Sequence, residues 1–393
     1  MTSADDIRAA RVRLAEAGSG LRNRPRERTV GAFAALLEAW CSPDSPWQKR
    51  LVDALPGATG FEAETVREGL ARALEHWTGD ALREVVAHEL GSLDANAQGF
   101  EQTSVLLAGS IPMPAITSLM APLLLHSPVL AKPASRDPVT AHLFAESLRG
   151  IDPELGAAIE IVSFARDDSV CAEAFFDTDC VVATGSDETI AEIANQVRAG
   201  THLVSHGHRM SIAVVGPEHA EATALDVALW DQLGCLSPVA AYCEAAQAEA
   251  FAQALAEALE EIEGWLPRGE LPIFAAAAIR RERGEAEMRR AAGIDVSICG
   301  DEALRWTVVR EADAHWRPTP LHRFVRVHPI EGRDHLLRAL EPVAMHLAGI
   351  ACDLPAPDLA PLGAARICEP GSLQTPPLAW HHDGQPLLAP LLR

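Results

Sequence analysis

The chain has 393 residues, with 33 Lys and Arg against 55 Asp and Glu, a formal net charge of −22 at pH 7. That excess of acid argues against nucleic acid or an anionic membrane surface as partner, because affinity for either rests on Lys and Arg neutralising phosphates. At 48% hydrophobic and 22% charged residues the composition is globular, and the length suits two or three lobes around a large core.

The N-terminus opens on acids with no apolar stretch behind them, so no secretory signal is expected. Helical spacing of apolar residues runs from Ile7 to Ala17 and from Phe61 to Trp77, with Pro and Asp punctuation between the helices. Between Glu101 and Lys132 no Asp, Glu, Lys or Arg occurs, but Gly109, Pro112, Pro114, Pro122 and Pro128 interrupt the run. The stretch therefore reads as buried core rather than a membrane span, which needs about 20 unbroken apolar residues. From Ser104 onward short apolar runs (105–110, 129–134, 157–163, 180–186, 201–207, 211–217) alternate with amphipathic segments. Such alternation predicts a parallel sheet of βαβ units, which binds ligands at the carboxyl ends of its strands. No Gly-x-Gly-x-x-Gly fingerprint is present. A second α/β lobe follows, with a strand at Val239–Cys243, helices over 245–264 and 277–293, and β-like runs at Arg305–Glu311 and Arg323–Ile330. The eight cysteines are scattered without a Cys-x-x-Cys pair, as expected of a reduced, cytoplasmic protein.

Four places could carry chemistry. Cys235 lies in Asp231–Gln232–Leu233–Gly234–Cys235–Leu236–Ser237–Pro238, between a helix and a strand. Gly234 lets a carbonyl approach, and a thiolate is the nucleophile suited to forming a thioester; a buried structural thiol is the commoner fate of a cysteine. The turn at Thr184–Gly185–Ser186–Asp187–Glu188 closes a strand and opens a helix, offering backbone N–H groups to a phosphate or amide, or simply a helix cap. Lys132–Pro133–Ala134–Ser135–Arg136–Asp137–Pro138 puts two cations and a hydroxyl at a strand end, where they could hold a ribose and its phosphate or form a solvated turn. His202, His206 and His208 have zinc-like spacing, but no carboxylate partners them nearby in sequence and Gly207 suggests a turn, so no metal is expected there. His381–His382–Asp383–Gly384 is equally weak as a metal motif.

In order, these segments resemble the aldehyde dehydrogenase superfamily, and within it the bioluminescence-type (LuxC-like) acyl-CoA reductases. The carrying residues are Gly109–Ser110–Ile111–Pro112, Lys132–Pro138, Val181–Thr189, His206–Ser211, Asp231–Pro238, Arg323–Val327, Gly363–Ile367 and Pro376–Gly384. The resemblance covers roughly residues 100–393 and implies an α/β, aldehyde dehydrogenase-like fold. Its parts are a helical N-terminal segment (1–99), an NADP-binding α/β domain with a parallel sheet (100–207), a catalytic α/β domain carrying the cysteine (208–350) and a tail (351–393). The tail would serve oligomerisation or return to the cofactor domain.

The resemblance implies that Cys235 attacks an acyl-CoA or carrier-bound thioester, that a nicotinamide over Gly185 and Ser186 reduces the acyl-enzyme, and that an aldehyde leaves. Aldehyde-oxidising relatives have a general-base Glu where this chain has His206, which favours thioester reduction over hydrolysis. The superfamily's ribose-binding Glu is replaced by Ser135, followed by Arg136, which implies NADPH over NADH. The oxyanion-binding Asn is replaced by Ser110, a shorter donor. Implied partners are an acyl-CoA or acyl carrier, further copies of the chain, and an acyl-donating synthetase or transferase. The alternatives are a cysteine acyltransferase without redox chemistry and a catalytically weakened scaffold.

Overall fold

A computed structural model describes residues 1–91, 98–353 and 356–393. The first strands in the chain are β1 (Thr103–Leu106), β2 (Val129–Lys132), β3 (Ile159–Ile161), β4 (Cys180–Thr184) and β5 (His202–His206), and they form one sheet in the order β3-β2-β1-β4-β5. Every pairing is parallel. The chain steps from β1 outward to β3 on one side, then returns to β4 and β5 on the other, so the winding reverses between β1 and β4. Doubly wound sheets bind ligands at the carboxyl ends of their strands beside such a reversal.

The uncharged run expected to be core supplies β1 and the helix Pro112–Leu124, with Pro112 in the first turn where a missing N–H costs nothing. Leu119, Met120, Leu123 and Leu124 of that helix are buried. Among the described residues no helix is long and apolar enough to cross a membrane. At the N-terminus, Ser3 and Asp6 form a reciprocal capping box that starts the helix Ala4–Leu21. Ile7, Ala10 and Leu14, spaced three and four apart, share a core with Leu130, Phe175 and Val181.

The remaining strands are β6 (Met210–Val214), β7 (Pro238–Glu244), β8 (Ser297–Gly300), β9 (Thr307–Arg310), β10 (Phe324–Ile330), β11 (Leu347–Cys352) and β12 (Arg366–Cys368). They form a second sheet, β12-β11-β6-β7-β10-β9-β8, parallel except for the β8–β9 pair. Ile212, Tyr242, Ile350, Leu336 and Leu340 lie in its core. Three of these strands, β8, β11 and β12, were not anticipated. The first is an antiparallel edge, the last has three residues, and Leu347–Cys352 is buried throughout and shows no alternation.

Two units divide the chain. One comprises Met1–Thr59, Ala73–His208 and Pro377–Arg393 and holds the first sheet; the other comprises Gly60–Arg72 and Arg209–Pro376 and holds the second. The N-terminal helices are thus shared unequally between the units, and the tail is split at Pro376.

Candidate active site

In the first unit Ser110, Lys132, Gly185, Ser186 and His206 end or follow the strands β1, β2, β4 and β5 at their carboxyl ends. Ser110 follows β1 beyond Gly109, whose φ of +86° suits glycine, and Ser110 is buried. Lys132 ends β2, with its Nζ 5.1 Å from the centroid of the Phe164 ring, a cation–π distance. Burial, with Arg166 adding repulsion, lowers its pKa. Beyond it, Ser135 and Arg136 are exposed. Asp137 is buried and accepts the N–H groups of Val139 (3.0 Å) and Thr140 (2.9 Å), so its carboxylate is taken up by the backbone of its own turn.

Gly185 and Ser186 follow β4. A Cβ on Gly185 would stand 3.1 Å from the Thr189 side chain, so glycine keeps this turn tight. Ser186 is the N-cap of the ten-residue helix Asp187–Gln196, accepting the Thr189 N–H at 3.3 Å. Asp187 and Glu188 sit in the first turn, where they already complement the positive helix end.

The three histidines with zinc-like spacing diverge. His202 stacks on Phe100 (centroids 4.9 Å apart) and its Nε2 lies 2.7 Å from the Pro390 carbonyl oxygen. His208 lies beyond β5, exposed, and its N–H donates to Asp187. His206 ends β5 and meets residues the sequence reading had set aside: its Nδ1 is 3.2 Å from Asp383 Oδ2, and its ring stacks on His382 with centroids 4.5 Å apart. His382 and Asp383 belong to the tail motif that is weak as a metal site by itself, and only their pairing with His206 was invisible to local spacing.

Cys235 belongs to the second unit, half-buried on the turn before β7. The residues leading to it are held unusually. Trp230, Asp231 and Gln232 have φ of 54°, 51° and 64°, and Leu321, His322 and Arg323 form a second left-handed triplet at 63°, 57° and 64°. Side chains larger than glycine rarely adopt this region, and such strain persists only where the surroundings enforce it. Here the two triplets brace each other. Arg323 donates to Asp231 at 2.8 Å, and Gln232 donates to the Phe324 carbonyl (3.0 Å) while accepting its N–H (2.9 Å). Gln232 also donates to the Pro238 carbonyl at 2.9 Å. The other side of the turn is fixed as well: Ser211 Oγ donates to the Cys235 carbonyl (2.8 Å), and Gln374 donates to Ser237 Oγ (2.8 Å). Asp226 holds the segment carrying Gln374 by accepting the N–H groups of Gly371 and Leu373. Burial pushes the Asp226 carboxyl up to about 7.

Most of the other thiols are poor nucleophiles by environment. Burial pushes Cys41, Cys243 and Cys368 up to about 11 and Cys180 up to about 12, and raises Cys171 and Cys299 as well.

A doubly wound sheet in one unit, with a mixed sheet and a braced cysteine turn in the other, defines an aldehyde dehydrogenase-like α/β protein. Solved structures agree on the fold. Methylmalonate-semialdehyde dehydrogenase from Oceanimonas doudoroffii superposes with a TM-score of 0.75 at 14% identity, covering 97% of this chain and 85% of the other. The NAD-dependent benzaldehyde dehydrogenase from Corynebacterium glutamicum gives 0.71 at 16%, covering 93% and 86%. Residues 22–393 match the family described as acyl-CoA reductase (LuxC), and the chain belongs to that family. Among its relatives are long-chain acyl-protein thioester reductases from Vibrio harveyi (24% identical, 66% of this chain and 58% of the relative) and Photorhabdus laumondii (24%, 81% and 72%). The chain spans about three-fifths of the length of the Vibrio harveyi relative.

Proposed function

We propose that the protein reduces an acyl thioester, carried on CoA or on a protein, to an aldehyde with NADPH, through an acyl group held on Cys235. The observation that carries this reading is the Cys235 turn, where two strained triplets and two further hydrogen bonds fix the backbone around a half-buried thiol. Rigid placement of a nucleophile is how an enzyme holds reacting atoms in attack geometry.

In the first step Cys235 Sγ adds to the thioester carbonyl, the carbon–sulfur bond to the carrier breaks, and the carrier leaves as a thiol. A bound nicotinamide supplies a hydride to the carbonyl carbon. The carbon–Cys235 bond then breaks, releasing aldehyde and returning the thiol. Overall, one thioester, one NADPH and one proton give one aldehyde, one free carrier thiol and NADP⁺. Ser110 would donate to the carbonyl oxygen as it gains charge, and His206 would accept the thiol proton and pass it to the departing carrier sulfur.

The residues at the end of β2 suit a phosphorylated dinucleotide. Lys132 and Arg136 supply positive charge, Ser135 brings none of its own, and the Asp137 carboxylate is turned inward onto backbone N–H groups. Nothing negative in the turn between Lys132 and Arg136 then repels a 2′-phosphate, which supports NADPH. We further propose a cytoplasmic homo-oligomer, with its eight free cysteines kept reduced, that receives acyl groups from a synthetase or transferase partner.

The test is an assay of purified protein with a panel of acyl-CoAs and NADPH, trapping aldehyde, with Cys235→Ala alongside. Aldehyde from the wild type and none from the variant is expected. Aldehyde from Cys235→Ala overturns the covalent route. A labelled acyl-enzyme that never oxidises NADPH reassigns the protein as an acyltransferase.

A further inference from the structure

We infer that Asp383 is a positioning residue for His206, holding its imidazole with the proton on Nδ1 so that Nε2 acts as the base. The inference rests on the reductase reading above for the proton's destination, though not for the dyad itself.

The two groups come from different segments of the first unit, Ala73–His208 and Pro377–Arg393. His206 closes β5, the edge strand of the parallel sheet, with its side chain only 13% exposed. Asp383 comes from the tail, has φ of 56°, and its side chain has no exposure to solvent. Their 3.2 Å contact sets an aspartate oxygen against Nδ1 of the imidazole, and a carboxylate there accepts only from an N–H, which places the proton on Nδ1. A neutral histidine donating from Nδ1 carries its lone pair on Nε2.

The tail is held in register for this contact. Glu89 accepts the N–H groups of Leu387 (2.9 Å), Leu388 (2.7 Å) and Ala389 (3.1 Å). His202, on the same strand as His206, meets the Pro390 carbonyl, and the Arg393 N–H donates to the Gln98 carbonyl. Nearer the dyad, Trp380 lies against His382 at 5.2 Å and His382 stacks on His206. The imidazole is thus packed on one face and hydrogen-bonded at one edge, which fixes both its rotation and its tautomer.

His206, His382 and Asp383 also lie close enough to suggest a metal ion. The ring geometry favours the dyad. The two imidazole planes are only 16° from parallel and stacked face to face, whereas a metal-bound nitrogen directs its lone pair within its own ring plane. One ion cannot lie in two stacked, nearly parallel planes.

Under the proposed function, His206 would serve as the base of acyl transfer, its Nε2 taking up the thiol proton and giving it to the departing carrier sulfur, so that no net proton moves. Losing the correct tautomer should cost about 10²–10⁴-fold, the range of general acid–base catalysis.

The test uses the full chain with ¹⁵N-labelled histidine. The His206 ring is assigned by the signals missing from His206→Gln. We expect the wild type to carry its proton on Nδ1 and Asp383→Asn to shift it toward Nε2. In a single turnover, release of CoA from acyl-CoA should slow about 10²-fold or more in Asp383→Asn, with KM changed less than about threefold, and recover partly in Asp383→Glu. A wild-type proton on Nε2, an unchanged tautomer in Asp383→Asn, or stoichiometric metal that is lost with activity in Asp383→Asn each overturns the inference. If the wild type forms no acyl-enzyme, the reductase reading falls while the tautomer measurement still decides the dyad.

Discussion

Replacing Arg323 with Met should cost far more than its hydrogen bonds suggest, and more at pH 8 than at pH 5. The Arg323 side chain is 1% exposed and lies 2.8 Å from Asp231 and 2.9 Å from Glu263, whose side chains are 4% and 7% exposed. At an effective dielectric of about 20, each pair at this separation attracts by about 6 kcal/mol, a sum largely offset by desolvation of the three ions. The intact cluster is therefore close to neutral for stability. Methionine keeps most of the side-chain volume but leaves two buried carboxylates without their cation, a loss of about 3–5 kcal/mol.

Burial is the dominant influence on both acids and raises their pKa values even with Arg323 present. Removing the cation raises them further. An acid whose folded pKa exceeds its unfolded value contributes stability that is complete below the unfolded pKa and lost as pH rises through the folded one. The deficit of Arg323→Met must therefore shrink on acidification. Denaturant unfolding at the two pH values measures it directly. Adding Asp231→Asn and Glu263→Gln to Arg323→Met should restore most of the loss at pH 8. A deficit below about 1 kcal/mol at pH 8, or one equal at both pH values, would refute the electrostatic account.

Gln232→Leu should lower stability by about 2–4 kcal/mol, because it strands the Phe324 N–H and two carbonyl groups in the core; an unchanged denaturation midpoint contradicts this. His328, fully buried against Tyr242 and 3.0 Å from the Asp313 carbonyl oxygen, has its pKa pushed down to about 4 by burial. Its contribution to stability is present above the unfolded value near 6.5 and lost as pH falls toward 4, and an NMR titration of its ring with a midpoint near 6.5 would contradict the assignment. Arg136→Ala should raise the KM for NADPH about tenfold, worth about 1.4 kcal/mol, and leave NADH nearly unaffected. Equal losses with both cofactors would remove Arg136 from 2′-phosphate recognition.

The first sheet was legible because its strands are short apolar runs closed by glycine or a polar turn. Val129–Lys132 ends at Pro133, and Cys180–Thr184 at Gly185. Its edge strand was legible too, though it was first weighed for metal-ligand spacing. In the second sheet, Leu347–Cys352 offers no such signal. Both faces are covered, so small and apolar residues follow one another without a period, and a buried run of this kind cannot be told from a helix segment. The edge strand Arg366–Cys368 is too short for any period to show.

The site divides along a similar physical line. The turns that carry Gly185, Lys132 and Cys235 announce themselves locally, because a strand end, a helix start and a close backbone approach all constrain neighbouring residues. Groups that hold those residues obey no such constraint. Asp383 is 177 positions from His206, and Arg323 is 92 from Asp231. Loop closure costs grow only with the logarithm of separation, so a folded chain can recruit a partner from almost any distance. The missing carboxylate was counted against the histidine segment because it was sought nearby in sequence. It was present in the chain all along, as Asp383 of the His381–Gly384 segment, itself weak as a metal motif when taken alone. Two motifs that are weak taken singly are therefore candidates for one another, and the contact of Asp383 with His206 at the end of β5 is what makes them a pair.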